Sequence, residues 1–336
     1  MAGAGLLARL KQEAMSLGFA EAAGVDWALA REEYARHSAR YEEWLQRGFA
    51  GEMNYLVRGL DRRKNPELVF SGLKSVFCVL LPYRQSPLGH TDPSLGPRYA
   101  RYLDGPDYHD RISQLLLRTL ESVKQDSQFS ELKWKICIDT SAVLERTWAS
   151  LSGLGWIGKN TLLIHPQWGS RFFIGVAFLN QNLGVGIQKH PDYCGRCTAC
   201  LKSCPTGAIV SPGWLDSRNC ISYWTLEKRG HLDLSAEQKR AIGNWVAGCD
   251  LCQDSCPFNR KPEKNLPDPE LPQGNSRSSA TWQQLEMESD DAYRLRVQGS
   301  ALSRIKPEMA RRNFKLARAN CPPNQDLPKV DQDPRS

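Results

Sequence analysis

The residues able to do chemistry in this chain are mostly sulfur. Cys194, Cys197, Cys200 and Cys204, followed by Pro205, spell C-x2-C-x2-C-x3-C-P, the run with which bacterial ferredoxins hold 4Fe-4S clusters. Two-residue spacers let three thiolates on one loop converge on a cubane, while the fourth cysteine reaches a second cluster. A second run is therefore expected. Cys249, Cys252 and Cys256, followed by Pro257, supply it in altered form, with Cys220 upstream in position to replace the missing ligand. The crossover rule assigns Cys194, Cys197, Cys200 and Cys256 to one cluster, and Cys204, Cys220, Cys249 and Cys252 to the other. Four-cysteine zinc sites also use C-x2-C pairs, but zinc gives no reason for two C-x3-C-P endings that each carry a cysteine to share. Cys78 and Cys137 lie in apolar runs and read as small core residues, and Cys321 stands apart.

Two clusters in series carry electrons and name no substrate. No G-x-G-x-x-G follows a strand and no G-x4-G-K-[ST] occurs, so neither a dinucleotide nor an ATP site is supported. The best candidate for the remaining chemistry is Asp139, at the end of an extended run and ahead of Val143-Leu144-Glu145-Arg146 and the glycine-rich stretch from Gly153 to Gly158. Burial raises a carboxyl's pKa and lets it hold a proton near neutrality, as a general acid beside a bulky cofactor must. The residue types alone favour the plainer reading of Asp139 as the N-cap of a helix running on from Thr140. Asn160 and Thr161, just after Gly158, read as a turn whose N–H groups bind an anion, or as a turn and nothing more.

These residues need elements to position them. Leu6, Leu7, Leu10, Ala14 and Leu17 recur at helical spacing; Ser75 to Leu81, Lys133 to Ile138 and Arg171 to Leu179 read as strands, the last a buried central one. The composition, 41% hydrophobic and 24% charged over 336 residues, is that of a folded protein with room for two to three domains. The pattern predicts an α+β chain: an α/β unit over 1–184, a small cysteine-rich unit over 185–258, and over 259–336 a proline-rich linker, a basic helical segment and a frayed tail. Arg9, Lys11 and Glu13 interrupt what an export signal would keep apolar, and no apolar run approaches 18 residues. The expectation is a soluble cytoplasmic monomer with no membrane partner.

The net charge is +7, and from Tyr293 to Asn320 eight basic residues face one acid, Glu308. On a helix starting after Pro307, Arg311, Lys315 and Arg318 fall at i, i+4 and i+7, a positive stripe able to meet RNA phosphates, or a solvated helix face.

Taken together, Gly51-Glu52-Met53-Asn54-Tyr55, Asp107-Tyr108-His109, the Asp139 segment with Val143-Leu144-Glu145-Arg146, the GLGWIGKNTLL run of 153–163, the two cysteine runs and Ile221-Ser222-Tyr223 resemble the epoxyqueuosine reductases. These enzymes complete queuosine at the wobble position of certain tRNAs. The resemblance implies a nitroreductase-like N-terminal domain and a ferredoxin-like domain with cobalamin between them and no histidine ligand to cobalt. It implies Asp139 as the proton donor in a two-electron deoxygenation of an epoxide, and cofactor contacts from Tyr108, Gly158, Lys159, Asn160 and Ser222. It further implies a tRNA carrying epoxyqueuosine as partner, and an external low-potential electron donor of flavodoxin or ferredoxin type. Ala142 and Pro106 depart from the family pattern, which usually has proline and arginine there, and the helical-repeat extension of some members is not seen. The competing readings are a corrinoid reductive dehalogenase, less compatible with the basic C-terminal segment, and a ferredoxin-type carrier, which needs no 180-residue N-terminal unit.

Overall fold

The computed structural model describes residues 2–83, 96–260 and 280–321. The linker expected from Asn259 to Ala280 falls largely outside these residues, as does the tail beyond Cys321.

The strand Ser75–Pro82 is buried along its whole length. Side chains alternate across a sheet, so Phe77, Val79 and Leu81 enter one apolar cluster while Val76, Cys78 and Leu80 enter another. Both faces must therefore be covered. The helices Ala2–Ser16 and Tyr108–Lys124 cover the first, through Leu6, Leu10, Ile112 and Leu116. Trp27–Gln46 and Glu145–Leu151 cover the second, through Tyr34 and Trp148. Burial on both faces explains why SVFCVLL is a continuous apolar run rather than an alternating one.

The four-stranded sheet runs Glu21–Asp26, Ser75–Pro82, Phe172–Leu179, Trp134–Cys137, so Phe172–Leu179 is internal, and Trp134–Cys137 is an edge. Every pairing in it is antiparallel. The N-terminal unit is thus α+β in the strict sense, without the parallel crossovers that an α/β unit implies. Gly175 lets a helix lie close on the central strand, since a Cβ there would meet Ile112 Cγ2 at 2.7 Å and Leu116 Cδ1 at 2.8 Å.

The later segments fold back onto this sheet unit. Trp245–Ala247 pairs in parallel with Arg98–Tyr99. A third apolar cluster draws Tyr99 and Leu103 from the N-terminal unit, Val246 from the cysteine-rich unit, and Tyr293, Leu302, Ile305 and Met309 from the C-terminal helices. Buried Asn313, on the Pro307–Ala319 helix, locks the arrangement by donating to the carbonyls of Thr225 (2.8 Å) and Val246 (2.9 Å). The basic segment is therefore built into the body. No helix among the described residues is long and apolar enough to cross a membrane.

Trp148 is the hub of the second apolar layer, stacked on Tyr34 at 4.3 Å and meeting Trp27 and Phe178 edge-on. Trp148→Ala is expected to lower unfolding stability by about 3–5 kcal/mol. Urea unfolding followed by circular dichroism checks this, and a loss below about 1 kcal/mol would show that the layer repacks around the gap.

Candidate active site

Asp139 follows the edge strand in a tight turn in which the Thr140 N–H reaches back to the Ile138 carbonyl. Its φ of 46° lies in the left-handed region, which aspartate tolerates better than most residues. It caps no helix. The helix begins at Glu145 after Leu144, so the N-cap reading is not what the turn provides.

The Asp139 carboxylate instead faces an imidazole and a guanidinium from distant parts of the chain. Its Oδ2 lies 3.2 Å from His109 Nε2 and accepts from Arg304 Nη1 at 3.0 Å. Asp107 caps the Tyr108–Lys124 helix by accepting from the His109 N–H, and its carboxylate also sits 2.5 Å from His109 Nδ1. One imidazole is thus held between two carboxylates. His109 Nε2 is also 2.6 Å from Arg304 Nη2. The two contacts at this nitrogen demand opposite protonation: with a proton it donates to Asp139, and without one it accepts from Arg304.

The hydrogen bond from His109, opposed by burial and reinforced by Arg304, pulls the Asp139 carboxyl down to about 2. Asp139 is therefore ionised at neutral pH here, against the expectation that burial would raise it. Burial pulls His109 down, but its hydrogen bonds to Asp139 and Asp107 prevail and leave it raised. Glu145 behaves oppositely to Asp139. Burial, aided by the nearby Asp139 charge, lifts it to about 8, and its Oε1 is sealed from solvent with no hydrogen-bond partner. Neither His109, Glu145 nor Arg304 was singled out as a site residue on the sequence. The first two sit inside the quoted motifs, while Arg304 has no local signal and reaches Asp139 across 165 positions.

Asp139 and Glu145 open on a cavity of about 570 Å³ that Tyr108, Asn160, Ser222 and Arg304 also line. An adjoining cavity of about 450 Å³ shares Met53, Asp139, Glu145, Arg146 and Thr161 and continues past Arg40, Trp44 and Trp214. Together they have the room of a large cofactor plus a substrate group. Three cysteines, Cys220, Cys249 and Cys252, stand in the wall of the first. Asn160 is 2% exposed and its Nδ2 has no partner, a buried donor left for an acceptor on whatever fills the space.

Gly158 and Lys159 are not in that wall. The GLGWIGKNTLL run folds as a hairpin, pairing Trp156–Ile157 with Leu163–Ile164. Lys159 Nζ turns away to donate to the carbonyls of Gly195 (2.6 Å) and Cys197 (2.9 Å), clamping the first cysteine loop. Gly158 is needed for packing, because a Cβ there would come within 2.4 Å of Ile164 Cδ1. Tyr108 lies flat on Phe173, with ring centroids 4.2 Å apart.

The structure brings the eight clustered cysteines into two neighbourhoods. After burial, neighbouring thiols raise Cys200 (from Cys194 and Cys256) and Cys256 (from Cys194 and Cys197). In the other group burial comes first again, with Cys204 acting on Cys220, with Cys220 and Cys204 on Cys249, and with Cys249, Cys220 and Cys204 on Cys252. Among the described residues no three His, Cys, Asp or Glu side chains converge on a point as a single ion requires. A cubane binds each thiolate at a different iron, so its ligands stay further apart. Trp156 Nε1 donates to Cys194 Sγ at 3.4 Å and the Ala208 N–H to Cys204 Sγ at 3.3 Å. Cys78 and Cys137 are fully buried in the core.

Of the basic stripe, Arg311 forks onto Asp290, and Arg318 lies 5.5 Å over the Trp282 ring and donates to the Cys321 carbonyl. Lys315 lines an open hollow with Arg311, Arg312, Lys239 and His231. The stripe is thus partly neutralised at one end and partly stacked at the other.

Residues 63–140 match a family model described as "Epoxyqueuosine reductase QueG, DUF1730", and residues 193–259 match a "4Fe-4S double cluster binding domain". The chain is 37% identical over 309 residues to the epoxyqueuosine reductase of Synechococcus sp. (strain RCC307), covering 91% of each. It belongs to the epoxyqueuosine reductase family. Members of this family are oxidoreductases. The Pseudomonas aeruginosa epoxyqueuosine reductase is 35% identical over 293 residues, 86% of this chain and 80% of the relative. The crystal structure of an epoxyqueuosine reductase with an epoxyqueuosine-modified tRNA-Tyr stem loop superposes with a TM-score of 0.78 at 25% identity, covering 93% of this chain and 80% of that one.

The opposed titration of the two cleft carboxyls is directly observable. Difference infrared spectra at neutral pH are expected to show a protonated-carboxyl band that titrates at about 8 and vanishes in Glu145→Gln. Its absence from the unaltered protein would show that Glu145 is ionised.

Proposed function

We propose that this chain reduces epoxyqueuosine in the anticodon wobble position of tRNA to queuosine, by a two-electron deoxygenation at Asp139. The observation that carries the reading is that Asp139 and the cysteines Cys220, Cys249 and Cys252 open on one cavity. A proton-handling group and an electron outlet thereby face the same space. We place cobalamin in that cavity, between the unit 1–184 and the cysteine-rich unit 185–258. The unpartnered amide of Asn160, the Tyr108 side chain seated on Phe173, and Ser222 line that space and would hold it. When bound, it supplies low-potential electrons at cobalt. An external donor of flavodoxin or ferredoxin type would enter at the first cysteine set, whose Cys197 is exposed.

Turning an epoxide into an alkene and water consumes two electrons and two protons. The cleft has two groups of its own to supply them, His109, which keeps its proton to higher pH than an ordinary imidazole, and Glu145, lifted to about 8. The His109 Nε2 proton passes to Asp139 Oδ2 across their 3.2 Å contact. Asp139 then delivers it to the epoxide oxygen, so that the ring opens to a hydroxyl instead of an alkoxide, and the second proton, from Glu145, lets that oxygen depart as water. With His109, Arg304 holds Asp139 ionised until substrate arrives, and it offers its own donors to the departing oxygen.

The test is anaerobic reconstitution with iron, sulfide and cobalamin, metal analysis, and nucleoside mass spectrometry after incubation with epoxyqueuosine-containing tRNA. About eight irons and one cobalt per chain with formation of queuosine are expected; clusters without cobalt or turnover would leave an electron carrier. Asp139→Asn is expected to cost roughly 10²- to 10⁴-fold in single-turnover rate. Because His109 is raised, its proton is present below that elevated value and lost above it, so the rate should fall as pH rises through it. A His109→Gln variant with an unchanged pH profile would remove His109 from the proton path.

For the basic stripe, neutralising Arg311, Lys315 and Arg318 together is expected to weaken tRNA binding and flatten its salt dependence. Unchanged binding in a filter assay would show that the stripe is a solvated helix face.

A further inference from the structure

The spacers of the second cysteine run are charged where an electron-transfer loop needs no charge: Cys249-Asp250-Leu251-Cys252-Gln253-Asp254-Ser255-Cys256. Asp250 is 1% exposed, and the sheet unit sends three arginines to meet these acids, Arg98 and Arg101 at 8% exposure and Arg171 at 7%. Asp250 Oδ2 accepts from the Arg101 N–H at 2.8 Å and lies 3.4 Å from its Nη1. Asp254 takes Arg101, Arg171 Nη2 at 2.7 Å and Arg98 Nη2 at 3.6 Å. Three buried cations thus share two anions in these pairs. Arg98 is the loosest of the three. Its guanidinium stacks 4.0 Å from the Trp245 ring, its Nε has no partner, and it feels the Cys249 sulfur electrostatically.

A buried positive charge costs free energy unless something negative answers it. Cys249, whose sulfur acts on Arg98, and Cys252 flank the Asp250 that Arg101 holds, so a cluster on these thiolates would bring negative charge beside the arginines and gain one further unit of it on reduction. We propose that Arg98, Arg101 and Arg171 raise the reduction potential of the cluster held by Cys204, Cys220, Cys249 and Cys252, with Arg98 the adjustable member. A fixed positive charge in a low-dielectric surround stabilises the reduced form more than the oxidised one. These arginines are positioning residues, because they act through the cluster and touch no substrate. The inference rests on the two-cluster reading above.

Redox titration of the reconstituted chain, followed by electron paramagnetic resonance, separates this role from mere docking. Two one-electron waves are expected. Arg98→Gln removes a cation and should lower one wave by about tenfold in the reduced-to-oxidised ratio, or about 59 mV. Asp254→Asn removes an anion and should raise the same wave, while Arg98→Lys, which keeps the charge, should leave it near its original value. A loosened interface cannot produce shifts of opposite sign. Eight irons per chain with neither wave moved, or both variants moving it one way, overturns the inference alone. Iron well below about eight in the unaltered chain overturns the two-cluster reading beneath it.

Discussion

The buried ion network between Arg98, Arg101, Arg171, Asp250 and Asp254 is the constraint on which the rest of the molecule depends. It fixes the second cysteine run against the sheet unit, and so gives the cavity its sulfur-bearing wall. Ser170 and Asn259 extend it: the Ser170 N–H donates to Asn259 Oδ1 at 2.7 Å, and Ser170 Oγ donates to Gln253 at 3.0 Å. Gln253 Nε2 in turn donates to Asp250 at 3.1 Å. Such a network is weak as a source of net stability, since each charge had to leave water to join it. Its strength lies in specificity: removing one partner strands another in a dry place at about 3–5 kcal/mol, which disfavours any other docking angle.

What the sequence made legible follows from how far apart the interacting residues lie. The cysteine motifs are legible because a cubane's demands are met within a few residues. The strand at Ser75–Pro82 is legible because burial on both faces makes a continuous apolar run. Glu21–Asp26 is not: its EAAGVD is small and mixed, and it becomes a strand by pairing with its neighbour's edge. Lys159 shows a subtler limit. The glycine-rich stretch suggested a cofactor loop, yet its lysine serves the cysteine loop, because the hairpin turn aims it at the carbonyls of Gly195 and Cys197.

Asp139 is the sharpest case. Its importance could be inferred from its motif, but its charge state could not. Desolvation alone predicts a raised pKa, and the structure keeps that contribution; it is overruled by His109 and Arg304. Arg304 arrives only because the C-terminal helices pack into a core shared with both earlier units, an arrangement without a local sequence signature. The C-terminal segment was valued on the sequence for its surface charge. Its Ala301–Arg304 turn also completes the site.

The cleft therefore contains two carboxyls driven to opposite states by their surroundings, Asp139 down to about 2 by cationic partners and Glu145 up to about 8 by burial. Separation of that kind marks acid–base sites, because one group keeps its charge while the other keeps its proton. The two states are also coupled. The Asp139 charge contributes to the rise at Glu145, so a proton arriving on Asp139 lowers the affinity of Glu145 for its own. The linkage acts while Asp139 holds its proton: Glu145 is then a stronger acid, and once Asp139 has given the proton up its restored charge raises Glu145 again, so the two protons of the reaction are drawn from the cleft in concert.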